Sequence, residues 1–184
     1  MKCFIFIDGS NFYKGSKNLI NDKTISLLKL DYLSFFNFLC ADDEYVGANY
    51  YIGAIQRTDK KSHQLYSGQQ RLIAMLQTYS IPTILGTVIK HPDGSFHEKG
   101  VDVRLAVEMI RLARTQSYDK AILISSDTDL VPAVEEIKSL GKTVKYIGFP
   151  QNQSYGLTKA SNEYIILRKN DLMSCFPSTL FNHS

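Results

Sequence analysis

The stretch Cys3-Phe4-Ile5-Phe6-Ile7-Asp8-Gly9-Ser10-Asn11 decides how the fold is read. An unbroken apolar run, Cys3 to Ile7, stops abruptly at an Asp-Gly-Ser-Asn turn signal. A run that short, with no polar alternation, suits a strand covered on both faces, as in parallel sheets.

Outward from this run, helices and strands alternate. The residues predict helices over about Phe12 to Ile20 and Asp31 to Cys40, with Asp31 as N-cap, and a strand over Val46 to Ile55. Gln56 to Gln70 is polar and reads as a loop; from Gln69 to Tyr79, Leu72, Ile73 and Leu76 recur at helical spacing. Pro82 to Ile89 reads as a strand and His91-Pro92-Asp93-Gly94-Ser95 as a tight turn. Asp102 to Arg114 is the clearest helix. Ala121 to Ser125 then reads as a strand, Leu130 to Leu140 as a helix capped by Gly141, and Thr143 to Gly148 and Glu163 to Leu167 as the last strands. Such alternation implies an α/β, Rossmann-like three-layer sandwich with a central, mainly parallel sheet. With no internal repeat or linker, we expect one domain over residues 1–176 and a loose tail over 177–184.

Composition narrows the function classes. The 184 residues are 44% hydrophobic and 21% charged, with a net charge of +3, which permits nucleic-acid binding without demanding it. Cys3, Cys40 and Cys175 are odd in number and form no C-x-x-C pair, so neither a disulfide framework nor a zinc ribbon is expected. The first apolar run is too short for a signal-peptide core, and no stretch reaches the roughly 20 apolar residues of a membrane span. A soluble protein of the reducing cytoplasm is expected.

Chemistry concentrates in the acids. In open α/β sheets the functional crevice lies beyond the carboxyl ends of the strands. Asp8 closes the first strand, Asp127 follows the strand ending at Ser125, Asp129 comes two residues later, and Asp102 starts the strongest helix. Each has a plainer use alone: Asp8 in a turn, Asp127 or Asp129 as N-cap, Asp102 as a first-turn acid. Together they resemble a site, because converging carboxylates repel unless a cation neutralises them. Oxygen ligands of this kind suit Mg²⁺ or Mn²⁺, and the four histidines show no zinc spacing. Glu108 shares a helix face with Arg104 and Arg111, the arrangement of a solvated ion-pair face, whereas Asp102 lies above Leu105, Ala106 and Met109 on a face expected to pack. Asp102 is therefore the preferred ligand, with Glu108 a weaker candidate.

These residues resemble a known family. Phe6-Ile7-Asp8-Gly9-Ser10-Asn11 looks like the opening motif of NYN domains, which belong to the PIN-like nucleases. Glu98-Lys99-Gly100-Val101-Asp102-Val103, running into Leu105-Ala106, is similar to the second motif, and Ile124-Ser125-Ser126-Asp127-Thr128-Asp129-Leu130 to the third; Gly148 and Phe149 also fit the layout. The resemblance implies a PIN-like fold with the first strand in the middle of the sheet. It also implies Mg²⁺- or Mn²⁺-dependent hydrolysis of RNA, with Asp8, Asp102, Asp127 and Asp129 as the metal-site acids. Asp8 and Asp127 would be central, and Asn11 would position a phosphate or a carboxylate; its plainer use is as N-cap of the helix from Phe12. Two departures stand out: Glu108 occupies a position where relatives often have aspartate, and Ser126-Asp127-Thr128 replaces a glycine-rich version, so that Thr128 is expected to narrow access.

Substrate contacts are less clearly marked. Lys99 could approach a phosphate, and Arg57, Lys60, Lys61, His63 and Arg71, with Tyr66, could track a single strand of RNA by charge and stacking. A solvated polar loop would look the same. Preference for RNA over DNA comes only through the resemblance. One alternative is a non-catalytic module that binds RNA or protein. Another is a haloacid-dehalogenase-like phosphatase, which would want a second acid where Ser10 stands. There is no Walker sequence, and no G-x-G-x-x-G follows the first strand. Tyr50, Tyr51 and Phe35 to Phe38 could form an apolar patch for a homodimer, or belong to the core.

Overall fold

Strand β1 (Lys2–Asp8) sends Cys3, Ile5 and Ile7 into one apolar core and Phe6 into another, all of them fully buried. Successive side chains of a strand point to opposite faces, so apolar residues at both parities call for a helical layer on each side. The computed structural model describes residues 1–55, 60–90 and 96–178; for 60–62, 87–90 and 96–99 only the backbone elements are described. After β1 come α1 (Gly9–Ile20), a 3₁₀ turn (Leu27–Lys29), α2 (Tyr32–Cys40), β2 (Glu44–Ile52), α3 (Lys60–Thr78) and β3 (Thr83–Leu85). Then follow β4 (Thr87–Lys90), β5 (Phe96–Lys99), α4 (Val101–Arg114), β6 (Lys120–Ile124), a 3₁₀ turn (Thr128–Leu130) and α5 (Val131–Ser139). The chain continues through β7 (Thr143–Gly148), α6 (Tyr155–Ala160), β8 (Glu163–Ile166) and α7 (Lys169–Met173).

Six strands form an all-parallel sheet in the order β3-β2-β1-β6-β7-β8. Phe12 and Ile20 of α1, Phe35 and Leu39 of α2, Leu76 of α3 and Leu172 of α7 cover one face. Leu105 and Met109 of α4, Val134 and Ile137 of α5 and Leu157 of α6 cover the other. The first strand is interior, as expected. From it the chain winds first toward β3 and then, restarting at β6, toward β8. That reversal opens a crevice where loops leave the carboxyl ends of β1 and β6 in opposite directions.

Several expectations are corrected. Helix α3 begins at Lys60, not Gln69: His63, Gln64 and Leu65 are exposed, so its first turns carry no apolar stripe to read. The strand expected over Pro82 to Ile89 divides at Gly86. β3 joins the main sheet, while β4 pairs antiparallel with β5 in a separate two-stranded ribbon. The turn expected at His91 to Ser95 lies outside the described residues. Gly141, at φ +76°, lies one residue beyond the helix cap Leu140. Tyr50, Tyr51, Phe35 and Phe36 are core residues, which removes the apolar patch on which a homodimer was considered; of the aromatic residues in the set only Phe38 is exposed. The expected tail lies, from residue 179 on, outside the described residues.

Candidate active site

The site is assembled first around Asp8. Ile7 pairs with Ile124 and Asp8 with Tyr51, so the end of β1 sits between the ends of β2 and β6. Asp8 is only 3% exposed. One carboxylate oxygen caps α1 by accepting the Asn11 N–H at 3.1 Å. The other accepts the Ser125 hydroxyl at 2.9 Å and the Asn11 side-chain amide. One side chain thus both caps α1 and is fixed by Ser125 and Asn11 at the cleft. Asn11 is not an N-cap; it lies in the first turn of α1, and its amide turns back to Asp8, 3.5 Å from Ser125 Oγ. The residue after Asp8 has to be glycine, because a Cβ on Gly9 would stand 2.3 Å from Tyr50 Cε1 and 2.7 Å from the Tyr51 carbonyl.

Asp127 enters from the loop after β6. Its Oδ1 accepts the Asp129 N–H at 2.9 Å, and its own N–H donates to Ser125 Oγ at 3.1 Å. The second oxygen of Asp127 accepts no hydrogen bond among the described residues. Asp102 stands in the first turn of α4, which starts at Gly100, held at φ +84° with no side-chain cap. The residue is exposed overall, not packed as its helical face suggested, with its carboxyl partly desolvated in the cleft.

Asp8, Asn11, Asp102 and Asp127 line one open cleft of about 410 Å³, together with Ser10, Ser126 and Asn152. No Lys, Arg or His is among the described residues of its lining. The consequence appears at Asp102, whose pKa is raised, first by desolvation and then by the charges of Asp8, Asp127 and Asp129. Asp129 itself is exposed, just outside the lining, and acts on Asp102 through space.

This donor set fits a hard cation of one coordination style. Among the described residues, no group of three or more His, Cys, Asp or Glu is close enough to clasp an ion directly. Mg²⁺ commonly keeps several waters and takes only one or two carboxylates. Among the described residues, Asp127 has one oxygen that accepts no hydrogen bond, Asp8 has most of its lone pairs committed to three donors, and Asp102 faces no basic side chain in the cleft lining.

Sequence reasoning missed Ser125, Ser126 and Asn152. Ser125 is fully buried, and its Oγ joins Asp8 to the Asp127 backbone. A polar residue closing an otherwise apolar strand was the available signal. Asn152 comes from the loop after β7, a third carboxyl-end loop that the crevice rule already includes.

Glu108 is corrected in the other direction. It is not on a solvated ion-pair face: its side chain is 16% exposed, accepts the Tyr51 hydroxyl at 2.8 Å, and meets Arg104 only at 3.9 Å. It therefore lies in a structural contact between α4 and β2. Thr128 bonds Ser154 Oγ at 2.9 Å and does not line the cleft, so it does not narrow access. Lys60 and Lys61 begin α3 and Lys99 ends β5, but their side chains, like all of Arg57, lie outside the described residues.

A profile of the NYN domain family matches residues 2–168. The crystal structure of a protein of unknown function from Vibrio parahaemolyticus is similar in fold, with a TM-score of 0.69 and 24% identity, covering 93% of this chain and 94% of that one. No curated protein matches the sequence. No helix among the described residues is long and apolar enough to cross a membrane.

Proposed function

The chain belongs to the NYN domain family, with a PIN-like fold, and on that premise we propose that it is a divalent-metal-dependent ribonuclease. The observation that carries this reading is a cleft lined by three carboxylates and, among the described residues, by no basic side chain. Such a cleft repels a phosphodiester until a cation enters it.

In this reading Asp127 supplies the most available ligand oxygen. Asp8 is a fixed second acid, held by Asn11 and Ser125, and Asn11 positions that carboxylate. Asp102 and Asp129 would help to hold the ion, directly or through water. A bound Mg²⁺ or Mn²⁺ would lower the pKa of a coordinated water and neutralise charge on the scissile phosphate. Ser126 and Asn152 offer polar groups to the phosphate or the ribose from the cleft wall. Lys99, next in sequence to the cleft residue Gly100, is in chain position to approach a phosphate. A single catalytic domain over residues 1–176 and a reducing cytoplasmic location complete the proposal, the latter because all three cysteines are free and buried. The phosphatase reading gains nothing: Ser10 lines the cleft where that chemistry needs an acid.

The test is cleavage of labelled single-stranded RNA in Mg²⁺ or Mn²⁺ by the parent protein, Asp8→Asn and Asp127→Asn. The parent should cleave, and each variant should lose about 100-fold or more. Equal cleavage by all three, or none by the parent, would overturn the proposal.

A further inference from the structure

Helix α3 carries a second cleft, of about 510 Å³, lined by His63, Tyr66, Ser67, Gln70 and Arg71. These positions recur at three- and four-residue spacing, so they form one stripe of the helix. The whole helix, Lys60 to Thr78, contains Lys60, Lys61, His63 and Arg71 and no Asp or Glu. Arg71 forms no ion pair with a carboxylate among the described residues; its Nε reaches only the Ser67 carbonyl, at 3.4 Å. The stripe thus combines a guanidinium, an imidazole, an aromatic ring and an amide, with no acid on its own helix.

Its place in the fold relates it to the acidic cleft. Gln69, only 5% exposed, accepts the Ile55 N–H at 3.1 Å and donates to the Gly53 carbonyl. Residues 53–55 leave the carboxyl end of β2, the strand whose Tyr51 pairs with Asp8. Gln69 therefore pins the middle of α3 to the carboxyl end of β2, while the lining residues Ser67, Gln70 and Arg71 are exposed to solvent. The helix that carries the groove is thus anchored at the carboxyl end of β2, the strand next to β1, the end of the sheet at which Asp8 sits.

We propose that this groove on α3 binds the nucleotides of a single-stranded RNA that flank the phosphate held in the acidic cleft. The inference rests on the ribonuclease reading for its substrate. Charge decides the division of labour: an acidic, cation-requiring cleft has little hold on a polyanion of its own. The acid-free groove on α3 provides that hold, Arg71 and His63 through phosphates and Tyr66 through base stacking.

Binding without divalent metal tests this directly, by fluorescence anisotropy of a labelled single-stranded RNA of about 12 nucleotides in EDTA. Arg71→Ala should weaken binding severalfold and reduce the slope of log affinity against log salt by about 1. Tyr66→Ala should weaken it about tenfold, and Arg71→Lys should retain more affinity than Arg71→Ala. The effect of Arg71→Ala should grow as the oligonucleotide lengthens from a dinucleotide. Circular dichroism confirms that each variant is folded. Unchanged affinity and salt slope in both alanine variants would overturn the groove, as would failure of the parent to bind RNA at low salt. Equal displacement by polyglutamate or duplex DNA would overturn single-stranded RNA as its occupant. If the variants lose affinity while the parent cleaves nothing, the groove stands and the ribonuclease reading falls.

Discussion

The Ser125 hydroxyl donates to Asp8 Oδ2 at 2.9 Å across the join between β1 and β6, while Ser125 Oγ itself accepts the Asp127 N–H at 3.1 Å. One buried side chain therefore sets the position of one cleft acid directly and of another through its backbone. The two arrive from opposite halves of the chain, brought side by side by the pairing of β1 with β6. Ser125 does not line the cleft and acts through the acids, as a positioning residue.

Replacing it should disturb metal binding before it disturbs the fold. Ser125→Ala leaves Asp8 with the Asn11 donors alone and frees the Asp127 N–H. Losing the support of such a partner typically costs 10–100-fold in metal affinity. Calorimetric titration with Mn²⁺ should show a drop of about that size, with an unfolding free energy lower by about 1–3 kcal/mol. An unchanged Mn²⁺ affinity would remove Ser125 from the site.

Asp102 makes the electrostatics measurable. Its folded pKa lies above the ordinary 3.8, raised by desolvation and by Asp8, Asp127 and Asp129. Between the unfolded and the raised folded value, the native state holds more protons than the unfolded chain, so stability falls as pH rises through that window. The metal-free Asp102→Asn variant escapes this cost. Its Tm in EDTA should match the parent below the window and exceed it by about 1–3 °C at pH 7. Added Mn²⁺ should raise the parent's Tm more than the variant's. A variant less stable at pH 7 would contradict the repulsion argument.

Glu108 and the cleft acids should separate cleanly. Tyr51→Phe removes the hydroxyl that donates to Glu108 and leaves a half-buried carboxylate short of a partner. Urea unfolding should show a loss of about 1–2 kcal/mol, while Mn²⁺ affinity stays at the parent value. A large loss of Mn²⁺ affinity would return Glu108 to the site.

What the sequence made legible follows from periodicity and position. β1 could be read because burial on both faces leaves an unbroken apolar run, and Asp8 and Asp127 because strand ends are where an α/β sheet works. The first half of α3 could not, because its exposed turns bury too little to impose an apolar stripe. Glu108 was misjudged because i±3 and i±4 spacing names neighbours on its own helix and says nothing of Tyr51 on β2. The split at Gly86 was hidden because β3 and β4 read alike and differ only in which strand each finds. Ser125 was passed over because its importance lies in two hydrogen bonds, one of them to a residue 117 positions away.

Mn²⁺ titration of the parent, Asp8→Asn and Asp127→Asn, followed by calorimetry at neutral pH, tests the central claim most directly. The account predicts saturable binding by the parent and a loss of about tenfold or more in each variant, larger for Asp127→Asn because its uncommitted oxygen is the more available ligand. Equal affinity in all three proteins would contradict it.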